Sequence, residues 1–198
     1  MTEKPFSQAC ENNQQAIFSI LESVFAGSEQ VLEIGSGTGQ HASYFAPRLP
    51  HLVWQTSDQA EYHPGINAWL DDACAANLRR PLLLNVDMPQ WPLANVDAVF
   101  SANTCHIMAW VSVVNMFRHL AEVLSAGGTL AIYGPFNYGG QFTSPSNASF
   151  DQWLQQRGAQ QGIRDFEAVN KLASEAGMSL LEDNAMPANN RLLVWRKA

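Results

Sequence analysis

The chain has 198 residues, 46% of them hydrophobic and 15% charged, which suits one sizeable buried core and predicts a single domain over 1–198. A formal net charge of −7 argues against a sequence-independent grip on nucleic-acid phosphates or an anionic membrane, so no nucleic-acid or membrane partner is expected. Cys10, Cys74 and Cys105 lack the spacing of a disulfide framework or zinc site. With a polar start, MTEKPFSQACENN, and no apolar run near the ~20 residues of a membrane span, they predict a cytoplasmic protein without a metal.

Along the chain, Ile17, Ile20, Leu21, Val24 and Phe25 recur at helical spacing and predict a helix over 7–25, stopped at Gly27. VLEI (31–34) reads as a buried strand, then a glycine turn, then a helix through HASYFAPR. LVWQTSD (52–58) is a second strand, and Pro64 opens a helix over 64–77. PLLLNVD (81–87) and VDAVFSAN (96–103) are further strands. Residues 112–125 form an amphipathic helix closed by Gly127-Gly128, and TLAIYGPF (129–136) is the fifth strand. Apolar runs alternating with helices predict an α/β fold with a parallel sheet covered on both faces.

After strand five the rhythm breaks. Residues 137–150, NYGGQFTSPSNASF, read as a polar loop long enough to serve as a lid. Helices over 151–158 and 165–176 follow, with Arg164 and Asp165 read as an ion pair at a helix start. MSLLEDNAM and RLLVWRK, joined by PANN, form a hairpin, which makes at least one strand antiparallel. Asn189-Asn190 is assigned the positive backbone angles of that turn. Trp54 and Trp195 are read as core.

In VLEIGSGTGQH the glycines stand at 35, 37 and 39. A dinucleotide fingerprint, Gly-x-Gly-x-x-Gly, needs its third glycine at position 40, where this chain has Gln. Nicotinamide-dependent reduction is therefore disfavoured. Glu33, two residues before the first glycine, would sit poorly beside a pyrophosphate. It suits a ligand with a cationic amino-acid portion and a sulfonium.

The Glu-x-Gly-x-Gly-x-Gly turn, Asp58 at the end of strand two and the terminal hairpin resemble a class I S-adenosylmethionine-dependent methyltransferase. FSQACENN, VLEIGSGTGQHASYFA, WQTSD, DAVFSANTCHIMAW, IYGPFN, TSPSNASFD, GIRDFEAV and MPANN are similar, over nearly the whole chain, to the family typified by methyltransferase-like protein 26. The resemblance implies a three-layer Rossmann-like fold, with a seven-stranded, mostly parallel sheet and an antiparallel C-terminal hairpin strand. It also implies S-adenosyl-L-methionine as cofactor and S-adenosylhomocysteine as product, and it supplies no acceptor. The chain departs from the family pattern at Glu11-Asn12-Asn13 (Glu-Arg-Asn), Leu84-Asn85-Val86 (Leu-Asp-Val) and His106-Ile107-Met108-Ala109-Trp110 (His-x-x-Pro-Trp).

On this reading Glu33, Gly35, Ser36, Gly37, Thr38 and Gly39 close over the methionine part and ribose. Glu33 either orients the turn, meets the cofactor's ammonium through water, or is a buried acid capping local N–H groups. Asp58 lies 19 residues past Gly39, where nucleoside-binding sheets place a carboxylate for the ribose hydroxyls. Asn85, Val86 and Asp87 stand where adenine falls, one polar side chain contacting it and the other serving the turn. Asn103, Thr104 and His106 follow strand four, on the methyl side. His106 is the candidate general base, against a structural role beside Ile107, Met108 and Trp110. Glu11 and Asn13 on the covering first helix, with Tyr133, Asn137, Tyr138 and Asn147, are assigned to the acceptor. The leading expectation is methyl transfer to a small molecule, with a non-catalytic cofactor-binding module as the rival and a peptide acceptor left open. Oligomeric state is not legible.

Overall fold

Strands with apolar residues on both faces assemble into one sheet in the computed structural model, which describes residues 4–198. The strands are β1 (Gln30–Ile34), β2 (Val53–Asp58), β3 (Leu78–Leu83), β4 (Val96–Ala102) and β5 (Leu124–Gly134), with β8 (Met178–Met186) and β9 (Asn190–Lys197) at the end. Between them β6 (Phe136–Asn137) and β7 (Arg164–Asp165) pair in parallel as a separate ribbon. The seven-stranded sheet runs β3-β2-β1-β4-β5-β9-β8. β9 is antiparallel to both its neighbours, so a single strand is reversed. The chain order turns back between β1 and β4, the place where open α/β sheets bind ligands beyond their carboxyl ends.

Two apolar clusters sandwich this sheet. On one face Ile17 and Leu21 of α1 (Gln8–Val24), Phe45 of α2 (Gln40–Phe45) and Ile66 of α3 (His63–Ala73) pack on Val31, Trp54, Ala98 and Phe100. On the other, Val113, Phe117 and Leu120 of α4 (Trp110–Val123) and Val169 and Ala173 of α6 (Phe166–Glu175) pack on Leu32, Val99, Ile132 and Trp195. Alternate strand residues thus serve opposite faces, as the pleat requires. The three-layer architecture agrees with the sequence expectation, with Trp54 and Trp195 fully buried on opposite sides. No helix among the described residues is long and apolar enough to cross a membrane.

Several boundaries differ from the sequence reading. β3 occupies Leu78–Leu83, earlier than 81–87, and residues 84–87 form a turn beyond it. Within the stretch read as a loop, Tyr138 and Gln141 make a tight turn, and α5 (Pro145–Arg157) begins at Pro145. Ser144 caps α5 by accepting from the Asn147 N–H at 3.1 Å, with Pro145 in the first turn, where its missing N–H costs nothing. Positive φ in the terminal hairpin falls on Ala188 and Asn189, one residue earlier than assigned.

Candidate functional site

The glycine turn leaves β1 and enters α2 with Gly35, Gly37 and Gly39 all at positive φ, +73°, +57° and +89°. A Cβ on Gly35 would drive into Cγ2 of Thr104, and one on Gly39 would lie 2.9 Å from the Ile66 Cα. The Cβ position of Gly37 meets nothing within 4 Å, so this glycine alone opens onto free space. Its N–H donates to Asp58 Oδ2 at 2.7 Å.

Four of the turn's other donors are also spent inside the protein. The N–H groups of Gly35 and Ser36 go to the Ser57 carbonyl, Gly39 to the Ser36 carbonyl, and Gln40 to Thr38 Oγ1. A phosphate cradle keeps such donors free for its anion. Here a carboxylate, Asp58, already faces the turn, and Glu33 lies buried behind it, 2% exposed. An anionic pyrophosphate is disfavoured beside the Asp58 carboxylate.

Asp58, 9% exposed, also accepts the Gln59 N–H on Oδ1 at 2.7 Å. Each carboxylate oxygen retains acceptor capacity, which matches a pair of vicinal hydroxyls. Burial raises its pKa, opposed by the bonds from Gly37 and Gln59. Glu33 accepts from Ser36 Oγ at 2.8 Å and Trp54 Nε1 at 3.2 Å, and burial pushes its carboxyl up to about 7. The carboxyl thus ties Ser36 of the turn to Trp54 of β2.

Leu84 donates its N–H to the Asp58 carbonyl, which brings the turn after β3 against the end of β2. Asn85 is exposed there and accepts the Asp87 N–H. Asp87 is turned toward α4. Its carboxylate oxygens accept from Ser112 Oγ at 2.7 Å and Asn115 Nδ2 at 2.8 Å, both on α4. Val86 is buried in the α4 cluster.

Beyond β4, Asn103 takes φ +59° and Thr104 Oγ1 meets Ser101 Oγ. His106 is 6% exposed, and its Nδ1 and Asn103 Oδ1 stand 3.6 Å and 3.9 Å from the Cβ position of Gly134. Burial first, and the Arg164 charge second, lower the His106 pKa to about 4, so the ring is neutral at pH 7. Phe150 of α5 lies edge-on to it, with ring centroids 5.4 Å apart. Arg164 holds this loop in shape, donating Nε to the Cys105 carbonyl and Nη2 to those of Met108 and Gln160. No ion pair with Asp165 is present among the described residues.

The acceptor candidates divide. Asn13, 6% exposed, bonds His41 Nε2 at 2.7 Å and stands beside Tyr133. Asn137 is 8% exposed, with Oδ1 buried and unpartnered. Tyr138 turns away to Asp183 and stacks on Phe166, Asn147 ties α5 to the Asn189 carbonyl, and Glu11 is exposed on α1. These three are structural or solvent-facing. The sequence reading missed Gln40, whose amide clips Ser7 by accepting its N–H at 2.5 Å and donating to its carbonyl at 3.3 Å. It also missed His41 and the true role of Arg164. No local pattern marks such partners, because they lie far apart along the chain.

A family model described as "Protein of unknown function (DUF938)" matches residues 4–197. Among solved structures, an O-methyltransferase family protein from Burkholderia thailandensis is similar with a TM-score of 0.83 and 16% identity, over 93% of this chain and 56% of that one. An O-methyltransferase family 2 protein from Planctomyces limnophilus, in complex with apigenin, gives 0.82 and 14%, over 96% and 58%. The O-methyltransferase NcsB1 from neocarzinostatin biosynthesis, in complex with S-adenosylmethionine and 2-hydroxy-5-methyl naphthoic acid, gives 0.79 and 14%, over 96% and 55%. The chain thus spans little more than half the length of these structures, and at such identities the likeness establishes the fold.

Proposed function

Since the chain belongs to the family described as protein of unknown function (DUF938), its activity must be read from its own site, and we propose that it transfers a methyl group from S-adenosyl-L-methionine to a small-molecule acceptor. The observation that carries this reading is the glycine turn. The N–H groups of Gly35, Ser36, Gly37, Gly39 and Gln40 are consumed internally, its one open glycine is Gly37, and the carboxylate of Asp58 facing it keeps room for two hydroxyls. That donor set suits a nucleoside without phosphates. The resemblance to methyltransferase-like protein 26 and the small molecules found in complex with two fold relatives, 2-hydroxy-5-methyl naphthoic acid and apigenin, are consistent with it.

Bound at this turn, S-adenosylmethionine supplies an electrophilic methyl carbon on a positively charged sulfur. Asp58 receives the ribose hydroxyls, the exposed carboxamide of Asn85 meets the adenine edge, and Asn103 borders the methyl side. Methyl transfer needs alignment and exclusion of water more than a covalent partner. A hydroxyl acceptor must also lose a proton; His106, neutral at pH 7, is the candidate base, with burial and the Arg164 charge lowering its pKa to about 4 and so weakening it as a proton acceptor. Arg164 keeps that imidazole in place by binding the carbonyls around it.

Calorimetric titration with S-adenosylmethionine and S-adenosylhomocysteine tests the cofactor, and binding of neither refutes the reading. Incubation with methyl-labelled cofactor and a small-metabolite extract tests transfer, with labelled product expected. Binding without any transfer identifies a ligand-binding module instead. His106→Gln should lower transfer about 10²–10⁴-fold while leaving S-adenosylhomocysteine affinity intact.

A further inference from the structure

Gln40 stands where a dinucleotide turn would carry its third glycine, and its side chain joins the glycine turn to the N-terminal segment. The residue is 2% exposed, and its carboxamide makes three bonds. Oε1 accepts the Thr38 hydroxyl at 3.0 Å and the Ser7 N–H at 2.5 Å, while Nε2 donates to the Ser7 carbonyl at 3.3 Å. Thr38 lies between Gly37 and Gly39, and Ser7 caps α1 by accepting the Cys10 N–H. One buried amide thus holds both the turn and the start of α1.

Upstream of Ser7, residues 4–7 lie on α3 as a strap. Trp69 Nε1 donates to the Pro5 carbonyl at 2.6 Å, and the Pro5 ring rests on Gly65. Lys4 Nζ sits 3.6 Å over the Trp69 ring and pairs with Asp72. Little apolar surface secures the strap. Phe6 is 58% exposed, and a cavity of about 300 Å³ beside it is lined by Lys4, Glu11, Gln40, Tyr44 and Trp69. A segment held by a few polar bonds, without a packed apolar face, opens more readily than the sheet beneath it. When Ser7 leaves, Gln40 Nε2 loses its acceptor, and a buried amide must turn to find another. Turning takes Oε1 away from Thr38.

We infer that docking of residues 4–7 and cofactor binding at the glycine turn are coupled through Gln40, so that a filled site holds the strap down and a docked strap tightens the site. The inference rests on the cofactor site read above. The coupling is reciprocal: a ligand that settles Thr38 favours the docked strap by the same factor as the docked strap favours the ligand.

Dilute chymotrypsin reports the strap, because a cut between Phe6 and Ser7 needs the flanking residues freed as extended chain, and its rate follows the open population. The mass of the product identifies the cut, and S-adenosylhomocysteine is the ligand. At saturation it should slow the cut in the wild type about tenfold. Gly65→Ala places a Cβ 2.6 Å from Pro5 Cγ, where φ is not positive, so α3 gains a better helix former while the strap is wedged off. This variant should speed the cut about tenfold and weaken S-adenosylhomocysteine binding, by calorimetry, by about the same factor. Trp69→Phe removes the donor to Pro5, keeps a ring beneath Lys4 and should shift both readings the same way, about two- to tenfold. It carries the comparison alone if Gly65→Ala fails to fold. A wild-type cutting rate unchanged by saturating S-adenosylhomocysteine overturns the inference. So does a faster cut in the variants at wild-type affinity, and so does weaker affinity without a faster cut, which would place the damage in α3 and the turn. Variants that alter neither reading overturn it too. Failure of the wild type to bind S-adenosylhomocysteine sinks instead the cofactor reading itself.

Discussion

Alanine at each glycine of the turn should fail for a different reason, and the differences are measurable. At Gly35, left-handed backbone with a Cβ costs about 1–2 kcal/mol, and overpacking against Thr104 Cγ2 adds about 1–3 kcal/mol. Thr104→Ser deletes that methyl and keeps the hydroxyl that meets Ser101. In the Gly35→Ala background it should restore the overpacking share, read as a coupling of about 1–3 kcal/mol in a double-mutant cycle. At Gly39 the obstacle is the Ile66 backbone, which no side-chain exchange relieves. At Gly37 only the strain of about 1–2 kcal/mol applies, because its Cβ enters open space. Thermal unfolding without ligand reads these costs at about 2–4 °C per kcal/mol for a chain of this size. Calorimetry with S-adenosylhomocysteine reads the other axis, where Gly37→Ala should lose the most affinity for the least stability. Absence of coupling between positions 35 and 104, or wild-type affinity in Gly37→Ala, would refute the reasoning.

Asp58→Asn keeps one acceptor oxygen and loses the charge, so S-adenosylhomocysteine should bind about 10–100-fold more weakly by calorimetry; unchanged affinity removes the ribose assignment. Glu33 has its carboxyl raised from 4.5 to about 7 by burial, so the folded state holds the proton more tightly than the unfolded chain. Its stabilising contribution is complete below pH about 4.5 and is lost as pH rises through about 7. Stability of wild type relative to Glu33→Gln, from urea melts, should therefore fall by about 3 kcal/mol across that window. The lowered pKa values of His41 and His106 act in the opposite sense between about 4 and 6.5 but cancel in the difference; a flat difference contradicts the burial of Glu33. Arg164→Leu should abolish methyl transfer with S-adenosylhomocysteine affinity retained, measured side by side, because the loop carrying His106 loses its two bonds, at the Cys105 and Met108 carbonyls, while the glycine turn is untouched.

Much of the site's first half was legible because it is written in short range. Gly35, Gly37 and Gly39 mark positive φ, and Asp58 ends an apolar strand. The second half was less so. The first half of α5 was read as loop because TSPSNASF has almost no apolar periodicity, and the buried face of the helix is built on Asn147, Asp151 and Leu154. The Ser144-Pro145 start was nonetheless a readable capping signal. Asp87, Tyr138 and Asn147 looked like site residues by position, yet each is engaged by a distant structural partner. Arg164 looked like half of a local ion pair and binds carbonyls more than fifty residues away in the chain.

The sequence alone determined the alternation of strands and helices, the reversed terminal hairpin and the glycine turn after β1, since periodicity and glycine stereochemistry are local properties. Tertiary structure decided which polar groups remain free. Only the folded chain shows that Asp58 turns its carboxylate to the glycine turn, that Asp87 turns its own to α4, and that Asn137 Oδ1 lacks a partner.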